Sequence, residues 1–297
     1  MKGFLDVGAD LRMRYRVDDY TDPWRKPETV VCVHGFGESG AAWYGWVPHL
    51  ARRFRVIRID QRGFGESTPM PEDFPWSLDV LVRDLERVAL ALAGGPVHLI
   101  AAKIAGPVIM RFAAACPHLV RSIIVVGSMV KGPQDVDEWL AHVARHGVES
   151  WARASMPPRL GSDMPQAAVE WWIRLMSATP KSTVLGLLRA VTQIDVTPDL
   201  GRIRCPALVI TTDSRRRPLA LTRAWQALIP NSELVALPGD AYHPAASAPD
   251  SCARAALEFL ASDAHVRDHQ HTCRAPDGPG QIGEGIDRAG QGKTRFA

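Results

Sequence analysis

A lysine at the apex of a tight turn is the first residue of this sequence whose setting suggests chemistry. Residues 97–101, VHLIA, form a short apolar run, and small residues follow before apolar positions recur at helical spacing through Phe112. This pattern predicts a strand, a tight turn and a helix. Lys103 lies at the apex of the turn. An amine held there could form an imine with a carbonyl carbon, or stay charged and hold a carboxylate or polarise a carbonyl group.

The segments around this turn alternate between short apolar runs and amphipathic stretches. Runs typical of strands are TVVCVHG, FRVIRID, VHLIA, SIIVVGS, ALVITT and SELVALPG, between residues 29 and 239. Residues 77–95 have the pattern of a helix, with Ser77 as the candidate N-cap. Near-continuous apolar strands that alternate with helices predict an α/β fold, with a mostly parallel central sheet covered by helices on both faces. Ligands in such folds bind beyond the carboxyl ends of the strands.

The alternation stops between residues 131 and 204, where the sequence is helical in pattern and rich in tryptophan. Because this segment leaves after one predicted strand and returns at the next, we expect a helical lid over the strand ends. Most aromatic side chains in such a segment pack it onto the main domain. Trp139 and Trp172 are the candidates for contact with a substrate.

The sequence therefore divides into a core, a lid and a tail. The predicted core consists of residues 1–130 and 205–261. Residues 262–297 contain many glycine and charged residues and have almost no apolar periodicity. This composition predicts a disordered C-terminal tail.

Five motifs, in a fixed order, make the chain recognisable. VHGFGES follows the first predicted strand, and DQRGFGES follows the next. The strand–turn–helix with Lys103 comes third, and the stretches CPALVITTDSRRRP and ALPGDAYHPAASAPDSCARAALEFL complete the order. Together these motifs resemble the α/β-hydrolase superfamily, and most closely its lidded group of esterases, enol-lactonases and carbon-carbon bond hydrolases.

The resemblance implies a site for a negatively charged carbonyl oxygen, an oxyanion hole. In this superfamily the turn after His34 and Gly35 aims the N–H of the next residue, here Phe36, into the site, and Ile104 would supply a second N–H. Each such donor lowers a reaction barrier by about 3 kcal/mol in favourable cases. Gly35 would let the backbone approach the substrate closely.

The resemblance also implies a histidine and an acid. His243 follows a predicted strand and precedes the last helix, as the catalytic histidine of the superfamily does. The usual position of the acid holds Ser214, with Asp213 one residue earlier. Asp213 is therefore the first choice for orienting His243 and Asp240 is the second, although either could serve in a salt bridge instead.

The sequence departs from the superfamily at the nucleophile, because Lys103 stands where a serine is usual. An acyl group transferred to this amine would become a stable amide, so an acyl-enzyme cycle would stall. Three uses of Lys103 remain. A charged Lys103 could bind or polarise a carbonyl while His243 activates water; a neutral Lys103 could form a Schiff base in a lyase or decarboxylase; or the chain could be a ligand-binding pseudoenzyme. The first is favoured because it demands the smallest change in the pKa of the lysine.

Composition excludes several other classes of protein. Among 297 residues, 35 basic side chains face 32 acidic ones, too small a surplus to suggest nucleic-acid binding. No segment approaches about 18 uninterrupted apolar residues, so no membrane span is predicted. The five cysteines are scattered, with no C-x-x-C pair and no ligand-spaced histidine cluster, which favours a reduced, cytoplasmic setting without a metal.

These observations predict an atypical α/β-hydrolase that needs no cofactor. Its substrate would be a small carbonyl compound such as an ester, a lactone or a β-dicarbonyl, cleaved by hydrolysis or by hydrolytic carbon-carbon cleavage. We expect Lys103 to activate the carbonyl, the amides of Phe36 and Ile104 to hold the oxyanion, and His243, oriented by Asp213, to handle protons.

Overall fold

The fold was determined as a computed structural model that describes residues 1–8 and 11–272, with side chains as far as Ser262. Eight strands lie in these residues. They are β1 (Lys2–Gly8), β2 (Leu11–Asp18), β3 (Thr29–Val33), β4 (Arg55–Ile59), β5 (Val97–Ala102), β6 (Val120–Val126), β7 (Ala207–Thr212) and β8 (Ser232–Leu237). They form one sheet in the order β1, β2, β4, β3, β5, β6, β7, β8.

The sheet is mostly parallel. β2 pairs antiparallel with both β1 and β4, whereas each pairing from β4 across to β8 is parallel. Every residue of β3, β5 and β7 is buried, as their near-continuous apolar sequences require. β1 and β2 have no counterpart among the predicted strands, and they extend the sheet at one edge.

Helices cover both faces of the sheet. They are α1 (Val47–Leu50), α2 (Leu78–Val88), α3 (Ala105–Ala115), α4 (Asp137–Leu160), α5 (Gln166–Ser177), α6 (Lys181–Val191), α7 (Thr197–Leu200), α8 (Leu219–Gln226), α9 (Pro244–Ser247) and α10 (Pro249–Thr272). As predicted, Ser77 caps α2, accepting the N–H of Val80 at 3.2 Å. The predicted fold class, a mostly parallel sheet between two layers of helices, is confirmed.

Alternate residues of one strand show the two layers directly. Val31 and Val33 of β3 belong to an apolar cluster that includes side chains of α2 and α3. Val30 and Cys32 of the same strand belong to a second cluster, with side chains of α1 and α10. This alternation follows from the two-residue repeat of a strand, and it fixes which side of the sheet each helix covers.

The segment between β6 and β7 is a helical insertion that contains α4, α5, α6 and α7. α4 is kinked at Gly147, whose φ of 81° lies in the left-handed region that favours glycine. The insertion packs on the core at the carboxyl ends of the strands, where the ring of Trp172 lies 5.3 Å from that of His243.

The end of the chain differs in part from the predicted tail. α10 continues to Thr272, about ten residues into the segment 262–297. The remainder of that segment, residues 273–297, lies outside the described residues.

Candidate active site

Lys103 lies at the bend between β5 and α3. Its φ of 53° makes it the single described non-glycine residue with a positive φ, a conformation that costs energy and is found most often at functional positions. The bend is held by its backbone: the N–H of Lys103 donates to the carbonyl of Val126 at 3.0 Å, and its carbonyl accepts the N–H of Gly106 at 3.0 Å and the hydroxyl of Ser128 at 2.9 Å.

The side chain of Lys103 is almost completely buried, with 4% of the residue exposed. Its Nζ forms an ion pair with Oε1 of Glu38. A Cβ placed on Gly35 would lie 2.5 Å from Cε of Lys103, so the absence of a side chain at Gly35 makes room for the lysine. The predicted contact of Gly35 with a substrate stays a prediction.

Glu38 joins Lys103 to His243. Nε2 of His243 lies 3.0 Å from Oε1 of Glu38, the same oxygen that contacts Lys103. The angle at this contact is outside hydrogen-bond geometry, so the interaction is mainly electrostatic. Oε2 of Glu38 accepts the N–H of Gly35 at 2.9 Å. We call Lys103, Glu38 and His243 the buried triad.

Burial and mutual charge shift the pKa of each member of the buried triad. Burial lowers the pKa of Lys103 to about 8, against the opposing effect of Glu38. Burial and the neighbouring Lys103 lower the pKa of His243 to about 4. Burial alone would raise the pKa of Glu38, but Lys103 and His243 together hold it well below its usual range. At neutral pH the favoured state is therefore a charged Lys103, a charged Glu38 and a neutral His243.

The loop that carries Gly35, Phe36 and Glu38 is fixed by His34. The ring of His34 accepts the N–H of Gln61 at Nε2, 2.9 Å away, so its Nδ1 is free to donate to the carbonyl of Gly35 at 2.8 Å.

The loop that carries His243 is fixed from two sides. The hydroxyl of Thr212, at the end of β7, donates to the carbonyl of Ala241, and the N–H of His243 donates to the carbonyl of Arg159.

A cavity of about 330 Å³ lies in front of the buried triad. Of the residues proposed from sequence, Lys103, Phe36, Ile104 and Trp139 line it. The backbone N–H groups of Phe36 and Ile104 donate no hydrogen bond to any described residue. Trp172 instead packs on the ring of His243, behind the cavity.

The structure does not bring Asp213 to His243. Asp213 is exposed and its Oδ1 accepts the N–H of Leu219 at 3.0 Å, where it caps α8. Its neighbour Thr212 ends β7 with a buried side chain, whereas Asp213 lies in the loop that follows the strand and is exposed. Asp240, the second choice, is also exposed and accepts the N–H of Ser162 at 3.1 Å. The carboxylate beside His243 is that of Glu38.

Glu38 is the site residue that the sequence pattern did not single out. One signal for it was present in the sequence. Glu38 is an acidic residue in the glycine-containing loop VHGFGES, two residues after Phe36. An acidic side chain is almost never fully buried unless it is paired. The sequence, however, contains no indication that this loop would turn Glu38 inward toward Lys103.

The described residues offer neither a metal site nor a membrane-spanning helix. Among them, no three His, Cys, Asp or Glu side chains are grouped so that they could hold a metal ion. Nor is any of the described helices both long enough and apolar enough to cross a membrane.

Comparisons with known proteins agree with this architecture. The protein named "Putative carbamate hydrolase RutD" from a Caulobacter species is 26% identical over 247 residues, which cover 80% of this chain and 92% of that protein. The enol-lactonase of Burkholderia xenovorans LB400 superposes with a TM-score of 0.80 at 18% identity, covering 87% of this chain and 100% of the other. At so low an identity this likeness shows the fold alone.

A hydrolase of Pseudomonas aeruginosa superposes with a TM-score of 0.77 at 25% identity, covering 87% of this chain and 98% of the other. A family profile described as alpha/beta hydrolase fold matches residues 28–246, which include the whole of the buried triad. The chain belongs to the α/β-hydrolase fold family.

Proposed function

We propose that this protein is a hydrolase of small carbonyl compounds in which Lys103 takes the place of a serine nucleophile. The observation that carries the proposal is the position of Lys103, at the bend between β5 and α3, on the wall of the cavity and paired with Glu38. The substrate would be an ester, a lactone or a β-dicarbonyl compound. The name of one similar protein, a putative carbamate hydrolase, describes a substrate of the same carbonyl class.

In the proposed reaction Lys103 acts without forming a covalent bond. The carbonyl oxygen of the substrate lies against the ammonium of Lys103 and the N–H groups of Phe36 and Ile104, which stabilise the negative charge that develops as water adds to the carbonyl carbon. Lys103 then donates a proton to the leaving oxygen or carbon. The proton released by the attacking water returns to Lys103, so the amine is an ammonium again at the end of the cycle.

Glu38 and His243 stabilise both the charged and the neutral form of Lys103, from the side of the amine opposite to the cavity. Glu38 favours the ammonium before the proton is donated. While Lys103 is neutral, His243 stabilises the negative charge of Glu38, because its Nε2 lies 3.0 Å from the same carboxylate oxygen. In this proposal His243 acts on Lys103 through the charge of Glu38 and does not contact the substrate, and Glu38 takes the role proposed from the sequence for Asp213.

A second candidate function is a lyase or decarboxylase that uses a Schiff base on Lys103. It is favoured by the lowered pKa of Lys103, about 8, because an amine must be neutral to attack a carbonyl carbon. In that reaction the amine adds to a ketone or aldehyde and water leaves. The protonated imine accepts the electron pair of the bond that breaks and becomes an enamine. A proton added to the enamine carbon gives the imine of the product, and hydrolysis of that imine releases the product and restores Lys103.

The test is a screen of esters, lactones and β-dicarbonyl compounds with the wild type and two lysine variants. Lys103→Met removes the amine at nearly constant length, and Lys181→Met removes an exposed lysine of α6 as the matched control. We expect Lys103→Met to lose activity by about 100-fold or more and Lys181→Met to retain it. Equal activity of the two variants would show that Lys103 takes no part. The absence of turnover of every compound by the wild type would support the pseudoenzyme alternative.

Borohydride reduction during turnover separates the two candidate reactions. Reduction of an imine leaves a permanent mass increase on the peptide that contains Lys103, whereas the hydrolase reaction leaves that peptide unchanged. The control is Lys103→Met, which cannot form the adduct. Trapping on Lys103 with every substrate that is turned over would overturn the proposal of a non-covalent hydrolase.

A further inference from the structure

The cavity in front of the buried triad is strongly positive, although the whole sequence has a formal charge of only +3. One acidic and five basic side chains line it: Asp135, Lys103, Lys131, Arg159, Arg216 and Arg217. The rest of the wall is largely apolar and aromatic, with Phe36, Trp139, Trp151 and Tyr242 among its members. A cavity of this composition favours an anion attached to an apolar or aromatic group.

Three of the five basic side chains already have carboxylate partners. Lys103 pairs with Glu38. Nζ of Lys131 lies 3.2 Å from Oδ2 of Asp195, and Nη2 of Arg216 lies 3.9 Å from Oδ1 of Asp135. Within the described part of the chain, Arg159 and Arg217 have no carboxylate oxygen within the 4.0 Å of an ion pair. These two guanidinium groups carry the excess charge of the cavity.

Arg159 is the more informative of the two, because only 7% of it is exposed. Its Nε has no hydrogen-bond partner among the described residues. The guanidinium group lies over the ring of Trp151, 5.3 Å from the ring centroid, which positions it but does not neutralise it. An unpaired charge at such a depth destabilises a protein by several kcal/mol unless something compensates it.

Arg217 lies in the same cavity under similar conditions. Its Nε is also buried and has no hydrogen-bond partner among the described residues. Its guanidinium carbon lies 5.8 Å from the ring centroid of Tyr242. Burial lowers the pKa of Arg217 to about 10, and the positive charges of Arg216 and Arg159 contribute to this change. A bound anion would offset the positive charge of both arginines and so reduce the cost of burying them.

The two arginines are also close enough to the buried triad to act on one ligand. The carbonyl of Arg159 accepts the N–H of His243 at 3.0 Å, which ties the end of α4 to the loop that carries His243. A cavity of about 330 Å³ holds one small molecule, so a ligand that reaches the arginines is the ligand that reaches Lys103.

We propose that Arg159 and Arg217 form an anion subsite that binds a carboxylate or phosphate group of the substrate and presents its carbonyl to Lys103. This inference rests on the proposed function for its substrate, and it narrows that substrate from small carbonyl compounds to anionic ones. Guanidinium groups suit both kinds of anion because their N–H groups match the spacing of carboxylate and phosphate oxygens.

The test measures binding of unreactive probes by calorimetry with the full chain. The probes are phenylpropionate, phenylpropionamide as its neutral counterpart of similar shape, and phenyl phosphate. We expect at least one of the two anions to bind about tenfold or more tightly than the amide. The ratio between phenylpropionate and phenyl phosphate identifies which anion the subsite prefers. Amide binding as tight as that of both anions would overturn the inference.

Variants assign the preference to residues. Arg159→Met and Arg217→Met should each reduce binding of the preferred anion by about tenfold and leave binding of the amide unchanged. Arg153→Met is the matched control, because Arg153 lies on the same helix but is exposed and paired with Glu149 and Glu170. Equal losses in Arg153→Met and Arg159→Met would contradict the assignment.

Two further measurements separate a loss of the anion subsite from a loss of the fold. Arg159→Lys retains the charge and should restore part of the anion preference, and its melting temperature shows whether the fold is intact. Since Arg159 has no carboxylate partner to lose, Arg159→Met should melt at or above the wild-type temperature. Binding of unreactive probes does not depend on turnover, so the two proposals can fail separately. A preference for anions without hydrolysis would contradict only the proposed function. Hydrolysis without a preference for anions would contradict only the subsite.

Discussion

At the scale of single residues, Glu38 determines what Lys103 can do. A buried amine without a partner would give up its proton, because burial disfavours the charged form. The carboxylate of Glu38 opposes this effect and keeps the ammonium available at the bend. Since His243 contacts the same carboxylate oxygen, a change in the charge of Lys103 is felt by His243.

This pairing predicts a large effect of Glu38→Gln. The variant leaves the buried amine of Lys103 without its carboxylate partner. Lys103 must then either stay charged and unpaired or release its proton, so the free energy of unfolding should fall by about 3–5 kcal/mol near pH 7. The measurement is urea unfolding. Glu72→Gln, which removes an exposed partner of Arg189, is the control and should change stability by less than about 1 kcal/mol.

The double variant Lys103→Met/Glu38→Gln completes the cycle. Because it removes both charges, it should recover most of the stability that Glu38→Gln loses. Losses that simply add in the double variant would show that the two residues do not form a stabilising pair.

Sequence patterns reveal Lys103 and His243 but not the carboxylate between them. Lys103 interrupts a recognisable bend, and His243 follows a strand in the place the superfamily reserves for a histidine. Glu38 and Asp213 both lie in loops, where the direction of a side chain depends on the turn rather than on any periodicity. Only the structure distinguishes the buried Glu38 from the exposed Asp213.

At the scale of elements, the bend between β5 and α3 depends on close packing against β6. A Cβ on Gly106 would overlap the hydroxyl of Ser128, which donates to the carbonyl of Lys103. Gly106→Ala should therefore lower the free energy of unfolding by about 1–3 kcal/mol and displace Lys103. The measurements are urea unfolding and activity on any substrate found in the screen.

Gly95→Ala is the control for this prediction, because no atom lies within 4 Å of the position of its Cβ. It should leave both stability and activity close to the wild-type values. A Gly106→Ala variant as stable and active as Gly95→Ala would mean that the bend tolerates a wider separation from Ser128.

The elements themselves were predictable to different degrees. β3 to β8 are short apolar runs bounded by turns, and each of them corresponds to a predicted strand. β2, LRMRYRVD, alternates apolar and charged residues at the spacing of a half-buried strand, so the signal for it was present. The extension of α10 to Thr272 was not predictable from apolar periodicity, because residues 262–272 are mostly polar.

At the scale of the whole molecule, the buried histidines make stability depend on pH. Burial lowers the pKa values of His34 and His243, the latter to about 4 from an ordinary value of 6.5. Between about pH 6.5 and pH 4 the unfolded chain therefore binds more protons than the folded one, and stability falls as pH falls.

We therefore expect the free energy of unfolding in urea to be lower at about pH 5 than at about pH 7. In His243→Gln the difference between these pH values should be smaller by on the order of 1–2 kcal/mol, because one titrating group has been removed. His118→Gln changes an exposed histidine and controls for the substitution itself. An unchanged pH dependence in His243→Gln would contradict the assignment of a neutral His243.

The lysine at the bend also decides which reagents can detect this protein. Fluorophosphonates label serine hydrolases by phosphonylating the hydroxyl at this bend, and the side chain of Lys103 offers no oxygen for that reaction. Surveys that rely on such labels should pass over this chain while they detect hydrolases that carry a serine at this bend. Amine-selective reagents small enough for a cavity of about 330 Å³ are the chemical tools suited to finding it.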